Sequence, residues 1–338
     1  MEIQKNVSLR DKNWFQTGGC AKHFCQPETQ TDFNQALEHA KESSLSVTLL
    51  GEGANALIND DGVDGLVIKP TITSISQAQA ENLVTVGAGT SIQACIDWCL
   101  NHNLTGLEEF SGIPGTIGGA LYINVHYFKF FISQFLSLAQ VINKHTGETK
   151  TVDRSWFQFD YDQSILQKKE WFLLYATFEL TKANDIETAY ALGRRDEIIR
   201  QRNSRYPTSH TCGSFFRNFH THELASTTER TGSKKLPFAG YYLDKLGIKG
   251  ELSHGGATVS HQHANMIVTK DNANSSDVIA LARKMQELVF DNFGLILQAE
   301  CQFLGFEAYP LYQQTQPETQ IKPGLAKFAP DTPPSIEP

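Results

Sequence analysis

The chain has no surplus of positive charge: 29 Lys and Arg stand against 37 Asp and Glu, a net charge of −8. That balance argues against a general nucleic-acid binder, which meets phosphates with a basic face. An anionic substrate is still compatible, because a local cluster of Lys and Arg can outweigh the global sign. Cysteine is sparse and unpatterned. Cys20, Cys25, Cys95, Cys99, Cys212 and Cys301 form no CxxC pair and no dense framework, so reduced thiols in a cytosolic protein are expected. The opening MEIQKNVSLRDKNW lacks an apolar segment of signal-peptide length. The greasiest run, YFKFFISQFLSLAQVI (127–142), is interrupted by Lys129, Ser133, Gln134 and Ser137 and is short for a membrane span. It reads as a buried or interface segment, so the expected location is cytoplasmic, with no membrane and no nucleic-acid partner. No Walker loop, no GxGxxG ahead of a helix and no internal repeat is present, which disfavours an ordinary Rossmann nucleotide site.

What is present is an ordinary globular mixture: 338 residues, 40% apolar and 20% charged, enough for two or three compact units. From Glu307 onward the chain holds seven of the twelve prolines among many Gln and Thr. Such a composition buries too little apolar surface to offset its ordering entropy, so 307–338 is expected as a disordered tail.

Upstream, strand and helix signals alternate. TDFNQALEHAKES (31–43) is a helix behind Thr31 as cap, and SVTLLGEG (46–53) is a short buried strand that runs into glycines. NLVTVGAG (82–89) is another strand, followed by the helix SIQACIDWCLNHNL (91–104). Its Ile92, Cys95, Ile96, Cys99 and Leu100 form one stripe, which assigns both cysteines to the core rather than to a metal. IETAYALGRRDEIIRQRN (186–203) is a charged connecting helix, and a second unit opens around Tyr206. That unit holds a helix in 238–250 up to a glycine stop and a strand in 263–268. A helix over 275–294 follows, with Ser275 or Ser276 as cap and Gly294 at its end, before a closing strand at 295–305.

Two glycine loops can carry chemistry. GEGAN (Gly51, Glu52, Gly53, Ala54, Asn55) follows a strand, where glycines let backbone N–H groups converge on a diphosphate. SGIPGTIGGA (111–120) contains Gly112, Ile113, Gly115, Thr116, Gly118 and Gly119. It is either a tight turn packed on its own helix or a close approach to something flat; with GEGAN upstream, the two could grip one long cofactor. Ser214, in TCGSFFRNF (211–219), fits a turn beside a buried strand and equally a hydroxyl held for a proton transfer. Strand parity in 295–304 puts Leu295, Leu297, Ala299, Cys301 and Phe303 on one face and Glu300 on the other, exposed or lining a cleft. His261 and His263 would share a strand face near His254, yet no carboxylate or cysteine accompanies them, and no metal is expected.

These segments, with WFQTGGCAKHF (14–24), LLGEGANALINDDGVDGLVI (49–68), AGYYLDKLGIKGELSHGGATVSHQHANMIV (239–268) and QAE (298–300), occur in one order. In that order the chain, from about Asn6 to Phe306, resembles the UDP-N-acetylenolpyruvoylglucosamine reductases of bacterial peptidoglycan synthesis. The resemblance implies an α+β protein: a PCMH or vanillyl-alcohol-oxidase type FAD-binding domain over 6–182, a connecting helix over 183–205, and a smaller α/β substrate-binding domain over 206–306. It implies FAD held between Gly51–Asn55 and Gly112–Gly119, with NADPH as reductant and a UDP-linked enolpyruvyl sugar as substrate; no protein partner follows from it. By the same resemblance Ser214 donates a proton to the enolpyruvyl C2, Glu300 supports the enolate, and Tyr161, Arg217 and Asn218 bind substrate.

In two stretches the chain departs from the family pattern. FDYDQSIL (159–166) keeps Tyr161 and Ser164 but has Asp162 where the family has an arginine that supports the enolate. NVHYFKF (124–130) stands where Asn-Ala-Gly-Ala-Tyr is usual. One charge pair at about 4 Å and an effective dielectric near 20 is worth roughly 4 kcal/mol, so a sign reversal matters. Arg154, Lys129 and Arg217 are the candidate replacement cations; an altered substrate and a binding-only homologue are the other readings.

Overall fold

The computed structural model describes residues 1–77, 82–224 and 236–313. Its packing divides into two units, neither continuous in sequence. The first comprises Met1–Val7, Ala21–Ala54 and Val63–Ser204; the second comprises Ser8–Cys20, Asn55–Gly62 and the chain from Arg205. Two short N-terminal segments therefore belong with the C-terminal unit, where the sequence suggests domains continuous along the chain.

In the first unit, helix α1 (Gln30–Glu42) begins at Thr29 rather than Thr31. The Thr29 side chain accepts from Asp32 N–H while Asp32 accepts from Thr29 N–H, a reciprocal cap that Thr31 has no partner to make. Phe33, Ala36, Leu37 and Ala40 bury its inner face with Leu66, Ile68 and Phe172. Beside it runs a sheet ordered Gln4–Ser8, Cys20–Cys25, Val63–Ile68, Val47–Leu49, its last three strands parallel. A second sheet is antiparallel throughout, ordered Thr149–Asp153, Leu136–Asn143, Trp171–Glu179, Leu83–Gly87, Ile75–Gln77. Helix α2 (Ile92–Asn101), capped by Ser91, packs its whole predicted stripe into the core with Val84, Val86, Ala176 and Phe178. Helix α3 (Ile117–Tyr122) grows from the second glycine loop, and α4 (Asp185–Arg205) buries only Thr188, Ala191 and Ile198.

The second unit holds α5 (Ala239–Lys245), α6 (Ser275–Phe293) and an antiparallel sheet of Ser253–His254, Ala257–Val259 and Ile267–Thr269. Ala56–Ile58 pairs in parallel with Gln302–Leu304. Helix α6 is capped by Asn274, one residue before the predicted serines. Their N–H groups are instead met by Asp60, whose carboxylate accepts from Ser275 at 2.6 Å and Ser276 at 2.9 Å. Gly294 ends the helix at φ 65°, as its position predicts.

Three predicted elements differ. The strand at 263–268 is reduced to Ile267–Thr269, because Asn265 spends both its backbone and its amide on Phe215 and Phe216. The closing strand shrinks to Gln302–Leu304 with one isolated bridge at Ala299, since the Leu297 carbonyl accepts from the buried Gln286 side chain at 2.7 Å. The start of the predicted tail is ordered: Leu311 is core, and Tyr312 exchanges backbone bonds with Gln286 at 2.9 and 3.1 Å. These two apolar residues are hidden by the composition average. The remainder, 314–338, lies outside the described residues.

Candidate active site

In the first unit the two glycine loops meet. The Glu52 carboxylate accepts from Gly115 N–H at 3.0 Å, and a Cβ on Gly51 would lie 2.7 Å from Thr116 Oγ1. Only glycine allows that approach at 51. Lys69 donates its ammonium to the Gly51 carbonyl and pins the turn. Gly53 sits at φ 66°, a backbone that L side chains avoid. In the second loop the backbone donors are largely spent internally: Gly112 on Gln93, Gly118 on Ala88, Gly119 on the Thr116 hydroxyl. Ile113 donates to Phe110, fastening that loop to its own turn. Among the described residues no acceptor meets the N–H groups of Glu52, Gly53 or Ala54. A run of unspent N–H groups on a turning backbone is an anion cradle, suited to a diphosphate. Two buried side-chain atoms of this unit, Thr90 Oγ1 and Ser111 Oγ, also lack a partner among the described residues. Buried polar atoms left so are exceptions that a ligand can satisfy.

Tyr161 and Asp162 lie on a loop fastened to the far end of α3. Ser164 Oγ donates to the Tyr122 carbonyl at 2.7 Å, and Asn124 Nδ2 to the Asp160 carbonyl at 3.0 Å. Arg154 and Lys129 are exposed, with the Lys129 ammonium 5.5 Å from the Phe130 ring. The ionisable group set against Asp162 is His126, at 3.4 Å.

In the second unit Ser214 and Glu300 come within one peptide of each other. Glu300 N–H donates to the Phe215 carbonyl at 2.9 Å, and Arg217 N–H to the Gln298 carbonyl at 2.9 Å. The two segments thus run side by side, and each side chain is half-buried. Ser214 bridges Met266 on its other flank. Asn265, 3% exposed, clamps Phe216 from both sides at 3.1 and 2.7 Å; it is a positioning residue that sequence reading missed, since an Asn inside an apolar run gives no pattern. Asn55 supports the other segment, donating to the Glu300 carbonyl at 3.3 Å and accepting from Gln302 N–H at 3.0 Å. Arg217 turns its guanidinium onto Glu223 at 2.6 and 2.9 Å, while the Asn218 amide oxygen accepts from Ala239 N–H. Burial and a hydrogen bond with Cys301 push the Cys212 thiol well up, so no thiolate competes as a base two residues from Ser214.

His261 and His263 do not share a strand; both fall in the turn before Met266. Burial and nearby Lys249 hold His263 below the ordinary histidine range, against a smaller opposing pull from Asp244. Among the described residues no three His, Cys, Asp or Glu side chains converge as a metal site. No helix among them is long and apolar enough to cross a membrane.

Residues 21–153 match the model of an FAD binding domain, and 205–304 match the C-terminal domain of UDP-N-acetylenolpyruvoylglucosamine reductase. The chain is thus an α+β flavoprotein, with an FAD-binding domain of the PCMH or vanillyl-alcohol-oxidase type ahead of a second, reductase-specific domain. A UDP-N-acetylenolpyruvoylglucosamine reductase from Gloeobacter violaceus is 34% identical over 305 residues, covering 90% of this chain and 97% of the relative. One from Orientia tsutsugamushi is 32% identical over 313 residues, covering 90% and 95%. The crystal structure of the reductase from Thermus caldophilus aligns with a TM-score of 0.73 at 26% identity, covering 90% of this chain and 99% of that one. The chain belongs to the UDP-N-acetylenolpyruvoylglucosamine reductase family.

Proposed function

We infer that the protein reduces the enolpyruvyl ether of UDP-N-acetylglucosamine to UDP-N-acetylmuramate in peptidoglycan synthesis, with NADPH as electron source. The observation that carries the reading is the placing of Ser214 and Glu300 on adjoining segments joined through the Phe215 carbonyl, in a chain of this family.

We assign FAD to the sequence domain over 6–182, whose glycine loops lie in the first unit, and the sugar nucleotide to 206–306. Gly51, Glu52, Gly53 and Ala54 would hold the diphosphate through backbone N–H groups, with Asn55 beside them. Gly112, Ile113, Gly115, Thr116, Gly118 and Gly119 form the wall that keeps that turn in shape. When bound, FAD supplies the two-electron relay between NADPH and the enol ether. The overall reaction consumes one NADPH and one proton, and the protein must deliver that proton to C2. Ser214 Oγ donates it as charge builds on the enol, and recovers a proton from solvent afterwards. A hydroxyl is a weak acid in water, so donation requires the developing base within hydrogen-bond reach. Glu300, beside it, supports the developing enolate. Asn265 and Asn55 hold the two backbones at fixed separation. Tyr161, Arg217 and Asn218 contact substrate; Arg217 does so with one side of its guanidinium already fixed by Glu223. Six unbridged cysteines and a nucleotide reductant support a cytoplasmic location.

Stopped-flow spectroscopy separates the two half-reactions. NADPH should bleach the yellow protein, and anaerobic addition of the enolpyruvyl sugar should restore its colour. Ser214→Ala should still bleach but recover slower by roughly two orders of magnitude or more. Unchanged recovery would remove Ser214 from the chemistry.

A further inference from the structure

The two stretches in which this chain departs from its family pattern are in contact with each other. His126, from NVHYFKF, has Nδ1 3.4 Å from Asp162 Oδ1, with the side chains 24% and 13% exposed. The imidazole lies between two rings: Phe131 at 5.2 Å with planes 26° apart, and Tyr161 at 4.7 Å. Asp162 is placed rather than loose. Its backbone is left-handed at φ 54°, a conformation aspartate tolerates better than most residues. Its carbonyl accepts from Gln167 Nε2 at 2.7 Å, and the same amide reaches the Tyr122 carbonyl at 3.1 Å. The pair therefore stands at the C-terminal end of α3, about 9 Å along that six-residue helix from the glycine loop.

Asp162 Oδ2 is buried and has no hydrogen-bond partner. A buried carboxylate with one oxygen unmet is tolerated beside a cation and costly beside a neutral ring. Nδ1–H toward the carboxylate fixes the imidazole's orientation and leaves Nε2–H as the outward donor. We propose that His126, oriented by Asp162, is the anion-binding group of this site and receives the carboxylate of the enolpyruvyl substrate. This rests on the reductase reading above and deepens it. Asp162 then leaves no negative hole in the site, because it is the counter-ion of a cation one residue type removed from the family's own. The substitution has a consequence an arginine would not have: the positive charge is lost as pH rises. Asp162 and Tyr161 face the imidazole from the 159–166 loop. Tyr127 and Lys129 flank it on its own segment, and Arg202 of α4 lies 5.7 Å from the Tyr127 ring.

The test titrates oxidised holoprotein with the UDP-linked enolpyruvyl sugar, following the flavin spectrum between roughly pH 6 and pH 9, the span that brackets histidine. Affinity should fall as pH rises. His126→Gln should bind roughly tenfold to a hundredfold more weakly at the acid end, the loss of one charge-assisted hydrogen bond, and show a flat profile. Asp162→Asn should also weaken sugar binding, because the imidazole loses the carboxylate that orients it. UDP alone, which lacks the carboxylate, should bind all three proteins alike. In the parent, the imidazole NMR signal absent from His126→Gln should move when the sugar is added but not when UDP is. A flat parent profile, an unmoved signal or parent-like binding by His126→Gln would overturn the proposal while the reductase reading stands. If the parent binds no enolpyruvyl sugar at any pH, both fall together.

Discussion

The Glu223 carboxylate accepts from the Arg217 guanidinium at 2.6 and 2.9 Å and from His220 N–H at 2.7 Å. Burial opposes its ionisation, yet the guanidinium and the N–H outweigh burial, so the carboxyl titrates below its ordinary value of 4.5. A depressed folded-state value means the stabilisation is present above the ordinary value and is lost as pH falls through the folded one. Glu223→Gln should therefore cost about 1–3 kcal/mol at neutral pH, and the gap to the parent should narrow in acid. Urea melts at neutral pH and in the carboxylate range measure both. A gap that stays constant with pH would mean the pair contributes through shape alone. The same substitution frees one side of Arg217, a substrate contact in the mechanism above, so a change in sugar affinity should accompany the loss of stability. Ser214 and Glu300 are legible in sequence as a serine after glycine and a carboxylate opposite an apolar face. Their adjacency is not, because 86 residues separate them and the bond that joins them is backbone to backbone.

Among the elements, legibility follows the range of the forces. The α2 stripe obeys the helix's own period, and all five of its apolar residues are buried where the spacing puts them. The strands around 263–268 and 295–305 fail in part because distant side chains, Asn265 and Gln286, claim their backbone groups. The start of α6 shows the same effect. Its first donors are met by Asp60, which precedes them by more than two hundred residues, so a local search for a cap finds only the neighbouring serines. Asp60→Ala should cost about 1–2 kcal/mol, the usual worth of a lost cap plus a carboxylate at a helix N-terminus. Asp60→Asn should recover part of that loss, since the amide oxygen still accepts. Thermal melts of the two variants decide it; equal losses would show that charge, not hydrogen bonding, is what Asp60 supplies.

At the scale of the whole molecule, the second unit is not a C-terminal domain in the sense of a separable length of chain. Its core contains Phe15 and Leu57, each 0% exposed, and Phe15 meets Phe215 edge-on at 6.4 Å. Gln302–Leu304 has Ala56–Ile58 as its parallel partner, and the Ser275 hydroxyl lies between Thr17 and the Ile58 carbonyl. A fragment beginning at Arg205 would lack all of these. Removing two buried side chains of this size costs roughly 2–5 kcal/mol each, against a total domain stability of about 5–15 kcal/mol. It also exposes the backbone edge of the strand that follows Glu300. The fragment should therefore stay unfolded by circular dichroism and be digested rapidly, although residues 205–304 match a family domain. Protein cleaved at the same point after folding should keep its flavin and its protease resistance, because Phe15 and Leu57 remain in place. A fragment that folds unaided would show that Ser8–Cys20 and Asn55–Gly62 decorate this unit rather than complete it, and the support given to Glu300 by Asn55 would then be dispensable to catalysis as well.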